Sequence, residues 1–255
     1  MNLSKWNQWE PYNDYVKVME GDAYPSGCVA TALAQICLHN RFPEYCTSSI
    51  LAKLKEKNCV PYSWDGNYNY YSMKYNGHYE YVPYAEDLSS EGKMNVSTLL
   101  YDIGKGVNMS YKLDGSGAAD TSAVAWLRNK GFSCSDVSAY DTASVKSSLK
   151  NYDPVYVSAY RTKEEVTTGW LWWKKTTVNY KHGHAWVIDD CINMACSVRN
   201  KKTNETFWIT DDFVHCNFGW GGDCNGYYIS GIFNTVKGPE VLSQNIFYGS
   251  DDYWV

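Results

Sequence analysis

Gly27-Cys28-Val29-Ala30-Thr31-Ala32-Leu33-Ala34-Gln35-Ile36-Cys37-Leu38-His39 is the stretch on which the fold turns. From Val29 to Leu38 it is apolar on nearly every face, the pattern of a helix enclosed in a core rather than laid on a surface. Pro25 and Gly27 mark its start and Pro43 lies past its end, so the spacing predicts a buried central helix over 28–40. Cys28 then falls in the first turn, where unpaired N–H groups and the positive end of the helix dipole favour a thiolate. A backbone N–H of Cys28 or Val29 is also placed to meet a developing oxyanion. Gly27 allows a tight turn and a close approach by another backbone. The same residues would serve a buried structural cysteine, so this segment alone does not decide the function.

Outward from that helix, an amphipathic helix is expected over 46–58, with Ile50, Leu51 and Leu54 on one side. Residues 60–90 are Tyr-rich and read as an irregular excursion with short strands. Further helices are expected near 94–104, 120–130 and 142–150, a strand over Val107–Leu113, and a loop over Asp114–Ala118. After Asp153-Pro154 the pattern changes to strands: 155–160, a hairpin over 165–178 turning at Thr168-Gly169, then 185–190, 206–210 and 226–232. Helices first and strands second give an α+β fold with a helix-rich lobe over 14–150 and a β-rich lobe over 151–255. No alternating βαβ pattern and no glycine-rich phosphate loop is present, which disfavours nucleotide-binding folds.

The 255 residues suffice for one large domain, and 44% of them are hydrophobic. Charged residues are mixed in sign and the net charge is −5, with no Lys/Arg block, so nucleic acid is not the expected partner. No apolar run approaches the roughly 20 residues of a membrane span. The nine cysteines form no C-x-x-C and no Cys/His set at zinc spacing, so no metal site is expected. Their odd number leaves one thiol over.

Two further segments carry chemistry. Lys181-His182-Gly183-His184-Ala185-Trp186-Val187-Ile188-Asp189-Asp190 places histidine at the start of an apolar strand, rigidly held as a general base should be. His182 and His184 share one strand face, and periodicity does not choose between them. His215-Cys216-Asn217-Phe218-Gly219-Trp220-Gly221-Gly222 offers an Asn able to hold an imidazole tautomer and a Trp able to shield that bond from water. The order Cys, His, Asn along the chain is more specific than any one of these pieces.

With these blocks quoted, the chain resembles the streptopain-like (C10) cysteine peptidases, a branch of the papain-like fold. Trp6-Asn7-Gln8-Trp9-Glu10-Pro11-Tyr12-Asn13 is similar to the family's (W/Y)-N-Q-x-x-P-Y-N. Gly27 to Ile36 is similar to G-C-V-A-T-A-x-A-Q-I. Gly183 to Asp189 is similar to G-H-A-F-V-I-D, and Asn217 to Gly222 with Asn225-Gly226-Tyr227-Tyr228 to N-W-G-W-G-G followed by D-G-F-F. The resemblance implies a two-lobe fold, a Cys-bearing central helix against an antiparallel sheet, within a single catalytic domain over 1–255. Segment 1–13 would contribute to its active site.

Residue by residue, the resemblance implies Cys28 as nucleophile, His184 as general base and acid, Asn217 as orienter of the imidazole, Gln8 as oxyanion donor and Trp220 as cover. It chooses His184 over His182, which stands where a Gly is usual. Ser116, Gly117 and Gly183 would contact substrate. The implied activity is endopeptidase cleavage of a protein or peptide substrate, with an apolar side chain preferred at the second residue before the scissile bond. No cofactor is implied. An N-terminal propeptide inhibitor, a monomeric mature enzyme and a secreted, cell-surface or periplasmic location are. An acyl transferase with the same Cys-His-Asn chemistry, and a non-catalytic glycan- or protein-binding homologue, are the competing readings. Freed for catalysis, Cys28 would be the odd thiol, leaving eight cysteines for up to four disulfides. Phe218 departs from the family's Trp. The Trp170-Leu171-Trp172-Trp173 run before the histidine is either an aromatic flap or a cover over core surface.

Overall fold

The computed structural model describes residues 4–41, 71–73, 79–81, 90–168, 173–199, 204, 206–236 and 239. The helix expected over 46–58 lies outside them, as does most of the 60–90 excursion, of which two short paired strands are seen: β1 (Tyr71–Met73) and β2 (Tyr79–Tyr81). The helical part comprises α1 (Asp14–Glu20), α2 (Cys28–Asn40), α3 (Ser90–Gly106), α4 (Asp120–Asn129) and α5 (Thr142–Lys150). A four-stranded antiparallel sheet follows in the order β3 (Val155–Thr168), β4 (Lys175–Arg199), β5 (Thr206–Asn217), β6 (Gly226–Ile229). The α+β architecture read from the sequence is the one observed.

Helix α2 is the centre of the helical part. Every residue from Val29 to Leu38 is buried, as the all-round apolar pattern demands. Its C-terminus closes with Arg41 at φ 48°, whose N–H donates to the Cys37 and Leu38 carbonyls. Its N-terminus needs glycine. Gly27 has φ +93°, and a Cβ there would lie 2.8 Å from the Met109 thioether and 3.1 Å from the Ser116 carbonyl oxygen.

Strand β4 is the wall between two cores, because alternate side chains leave a strand on opposite faces. Ala185 and Val187 pack with α2, α3 and α4, alongside Leu33, Leu99 and Ile103. Trp186 and Ile188 face the other way, onto Val214, Phe218, Tyr228 and Phe233, with Val145 and Leu149 of α5. Burying both faces of β4 fixes its register, since a slip of one residue would exchange the two cores. Helix α5 is capped by Asp141, whose carboxylate accepts the Ser144 N–H at 2.8 Å.

Two expectations are corrected here. Val107–Leu113 is not a strand; it holds a single bridge, Ser110 to Gly117, and Met109 packs into the core beside Gly27. Its alternation reflects separate apolar anchors on a loop. The supply of disulfides is also smaller than the count allowed. Cys28, Cys37, Cys134, Cys191, Cys216 and Cys224 are all free thiols, and the side chains of Cys46, Cys59 and Cys196 lie outside the described residues. The hairpin runs further than expected, with pairing from Val155–Ile188 out to Thr168–Lys175. Trp173 beyond it is 84% exposed and covers no core, and Trp170 to Trp172 lie outside the described residues.

Candidate active site

The N-terminal segment is held at both ends of the region. The Gln8 carbonyl accepts from the Ser26 N–H at 2.8 Å and the Ser26 hydroxyl at 3.2 Å, two residues before Cys28. The Trp6 carbonyl accepts the Gly221 N–H at 2.9 Å. Gln8 is therefore pinned by its backbone next to the start of α2, while its half-buried carboxamide makes no hydrogen bond among the described residues.

Cys28 opens α2 with a half-buried thiol. Cys28 packs against the core cluster that holds Ala185, the residue after His184, which brings the helix start and strand β4 together. The backbone N–H groups of Ala185, Val29 and Cys28 act on the thiol to favour its charged form. Burial nevertheless pushes the Cys28 thiol up, outweighing those donors, and the negative charge of Asp120 adds to the rise. Burial thus works against the thiolate that the position at the helix start favours.

His184 leaves β4 into an aromatic cage. Its ring lies 4.4 Å from Trp220 at 30°, and Phe218 stacks on Trp220 in turn at 5.2 Å and 19°. Burial there lowers the imidazole from the usual value to about 4, while a hydrogen bond to the Phe218 carbonyl pulls the other way. That bond is Nε2 to carbonyl oxygen at 2.8 Å. A carbonyl only accepts, so Nε2 carries the proton and Nδ1 keeps the free lone pair. Both shifts favour a neutral thiol and a neutral imidazole over an ion pair.

Asn217 does not bond to the imidazole. It ends β5, buried, with Nδ2 donating to the Ser4 carbonyl at 2.6 Å and Oδ1 accepting the Gly219 N–H at 3.3 Å. The second bond closes a turn around Phe218, whose carbonyl is the one that holds His184. The Phe218 N–H is fixed independently by Asn225 Oδ1 at 3.0 Å. Gly219, at φ +69°, lets this turn approach α2, where a Cβ would meet Thr31 Cγ2 at 2.8 Å.

Ser116 is buried, and its Oγ accepts the Lys112 N–H at 3.4 Å. Gly117 is exposed, bridges Ser110 and has open space where a side chain would go. Gly183 is exposed across from Tyr160, whose ring would lie 2.9 Å from a Cβ there. Of the other histidines, His39 faces the Tyr152 carbonyl at 2.8 Å and His215 faces Asp189 at 2.5 Å, so neither belongs to this site. The His182 side chain lies outside the described residues. Among the described residues no group of three or more His, Cys, Asp or Glu is arranged to hold a metal ion, and no helix is long and apolar enough to cross a membrane.

The sequence did not disclose the Phe218 carbonyl, the Ser4 carbonyl or Asp120. The first two act through the backbone and have no side-chain signature. Asp120 looks in sequence like an ordinary acidic residue of a helix first turn.

Comparison with known proteins places this geometry. The profile of the peptidase C10 family matches residues 6–228. Streptopain of Streptococcus pyogenes is 28% identical over 247 aligned residues, covering 88% of this chain and 52% of its own length, so the chain spans about half of that curated relative. The active wild-type interpain A cysteine protease of Prevotella intermedia superposes with a TM-score of 0.54 at 22% identity, covering 91% of this chain and 86% of that one. The likeness to interpain A shows the fold, which is papain-like.

Proposed function

The chain belongs to the peptidase C10 family, and on that footing we propose that it is a cysteine endopeptidase in which Cys28 is the nucleophile and His184 the general base and then acid. The observation that carries this reading is the meeting of α2 and β4, where Cys28 packs against the core cluster that holds Ala185, the residue after His184.

The neutral resting pair suits proton transfer during attack. Nδ1 of His184 takes the thiol proton as sulfur attacks the peptide carbonyl carbon. The oxyanion is met by the free Gln8 carboxamide and a backbone N–H at the start of α2; loss of one such donor costs about 10²–10³ in kcat. Imidazolium His184 then protonates the departing amine, leaving a thioester. Water, deprotonated by His184, attacks that thioester and releases the acid, regenerating the thiol. Phe218 and Trp220 shield a face of the imidazole from water, and the Phe218 carbonyl keeps its bond to Nε2–H throughout, while Asn217 holds the turn that presents that carbonyl. Ser116, Gly117 and Gly183 line the substrate side, Gly117 leaving room for a polypeptide backbone. None of these steps calls for a metal or organic cofactor.

The substrate class is polypeptide. An N-terminal propeptide that restrains the enzyme before maturation, and an extracytoplasmic, monomeric mature enzyme, belong to the same reading. The test is covalent labelling with an epoxide inhibitor of cysteine peptidases, with mass mapping of the adduct. One adduct at Cys28, together with loss of peptide cleavage in a folded Cys28→Ala variant, is the expected result. Cleavage that survives in Cys28→Ala overturns the assignment.

A further inference from the structure

The ladder between β5 and β6 stops just before the turn that holds His184. Cys216–Gly226 is its last pair, and the next residue outward on each side is an asparagine, Asn217 and Asn225. Where a further backbone pair would come, the Asn225 side chain reaches across instead, and its Oδ1 accepts the Phe218 N–H at 3.0 Å. That bond closes the loop from Phe218 to Asn225 at its base. At the mouth of the loop is the Phe218 carbonyl, which accepts from Nε2 of His184 at 2.8 Å. Within the loop is Trp220, whose ring lies on that imidazole at 4.4 Å.

Asn225 works from a fixed backbone. The peptide group joining Cys224 to Asn225 is held at both ends: its carbonyl accepts the Tyr228 hydroxyl at 2.6 Å, and its N–H donates to the Gly222 carbonyl at 3.2 Å. Tyr228 is buried and meets the Phe218 ring edge-on at 5.5 Å. A side chain launched from such a point loses little freedom in making its bond. The loop itself offers few side chains for anchorage, because Gly219, Gly221 and Gly222 surround Trp220. The Gly221 N–H ties its middle to the Trp6 carbonyl at 2.9 Å, and Asn225 ties its two limbs to each other.

We propose that Asn225 is a positioning residue for catalysis, whose carboxamide closes the Phe218–Asn225 loop and thereby holds both the Phe218 carbonyl and the Trp220 ring on His184. This deepens the peptidase reading and rests on it. Asn225 acts through Phe218 and Trp220, and it differs from Asn217 in joining the two limbs of the loop rather than one turn within it. The causes that set the proton affinity of His184 are burial and the Phe218 carbonyl, and both depend on this loop. A loosened loop admits water to the ring and lets it swing from the thiol. A merely structural Asn225 would change the folded fraction and leave the imidazole as it was.

The experiment compares wild type with Asn225→Ala, Asn225→Leu and Asn225→Asp on one fluorogenic peptide across pH. kcat is taken per Cys28 titrated with the epoxide inhibitor, so an unfolded fraction does not enter. Asn225→Ala and Asn225→Leu, which lack the acceptor, are expected to lower kcat about tenfold, the order of one lost hydrogen bond, with KM little changed. Both should also move the acid limb of kcat/KM upward, toward the ordinary histidine value. Asn225→Asp keeps an acceptor oxygen at the same reach and should restore kcat at neutral pH. An acid limb unmoved in both Asn225→Ala and Asn225→Leu overturns the proposal, as does an Asn225→Asp variant whose kcat falls as far as that of Asn225→Ala. A wild type that cleaves no peptide and takes no epoxide at Cys28 removes the peptidase reading and this inference with it.

Discussion

Two histidines occupy the same sheet and are treated in opposite ways. His184 on β4 is enclosed by Trp220 and Phe218 and given a neutral carbonyl as partner. His215 on β5 is given the carboxylate of Asp189, which is 2% exposed, at 2.5 Å, and packs edge-on against Tyr227, whose hydroxyl donates to Asp190 at 2.6 Å. A carboxylate partner ties the ring down through a charge-assisted hydrogen bond. A carbonyl partner in an apolar cage orients the ring while leaving it neutral, the state a general base needs. The lesson is that proximity to acid does not mark the working histidine here; the dry aromatic surroundings and the thiol do.

The sharpest break in this comparison is to remove each imidazole. His184→Ala is expected to lower kcat by about 10²–10⁴, the range of a lost acid-base group. His215→Ala is expected to leave the kinetics of the folded enzyme intact. It should instead lower stability by about 1–3 kcal/mol, because the buried Asp189 carboxylate loses its imidazole hydrogen bond. Steady-state kinetics and urea unfolding on both variants check this. A kinetic collapse in His215→Ala with full folding would reverse the roles.

Next in size is Gly27→Ala. The positive φ resists a side chain, and the new methyl group meets Met109 and the Ser116 carbonyl. Relieving that clash moves the start of α2 and hence the thiol away from His184. A displacement of about 1 Å is expected to cost about 10² in kcat. The rate of Cys28 alkylation by a small haloacetamide should change far less, since that reagent needs no alignment.

Acidification reads the surroundings of His184 directly. Because His184 must be neutral to accept the thiol proton, kcat/KM should hold as pH falls below 6.5 and drop only as pH passes about 4. Trp220→Ala admits water to the ring and is expected to move that acid limb upward, toward the ordinary histidine value. The same depression affects stability. Between about 4 and 6.5 the unfolded chain binds a proton at His184 that the native state refuses, so the stability present above pH 6.5 is lost as pH falls through this window. Urea midpoints measured across it should slope less in His184→Gln.

Much of this arrangement is written in local patterns, and the remainder is not. Helix α2 is legible because ten consecutive residues are buried, and burial on all sides leaves an unmistakable apolar run. Strand β3 reads as strand over 155–160 and again from 165 in the hairpin, and the link is missed because Arg161, Thr162 and Glu164 are exposed on the ribbon and carry no period-two alternation. Cys28 and His184 stood out through their motifs and elements. The hold on His184 did not, because the acceptor is a backbone carbonyl, and any residue at 218 would supply one. The opposition of burial to a Cys28 thiolate is not legible either, since burial of the thiol depends on core neighbours far along the chain, Ala185 of β4 among them.

The smallest effect is expected at Asn217, and it distinguishes direct from indirect control of His184. Asn217 reaches the imidazole only through the turn it closes: Oδ1 fixes Gly219, and the intervening Phe218 carbonyl holds Nε2. The Phe218 N–H keeps its own bond to Asn225 when Asn217 is altered, so the turn loses one of two restraints. Asn217→Ala is therefore expected to lower kcat by about tenfold or less, below the range for losing the base itself, with KM little changed and the acid limb unmoved. Asn217→Asp keeps the acceptor for Gly219 but replaces the donor to Ser4 with an oxygen facing a carbonyl. It should lose more stability than activity. If Asn217→Ala instead falls as far as His184→Ala, the side chain contacts the imidazole directly during turnover, and the contrast between a carbonyl-held and a carboxylate-held histidine gives way to one in which both rings depend on a neighbouring side chain.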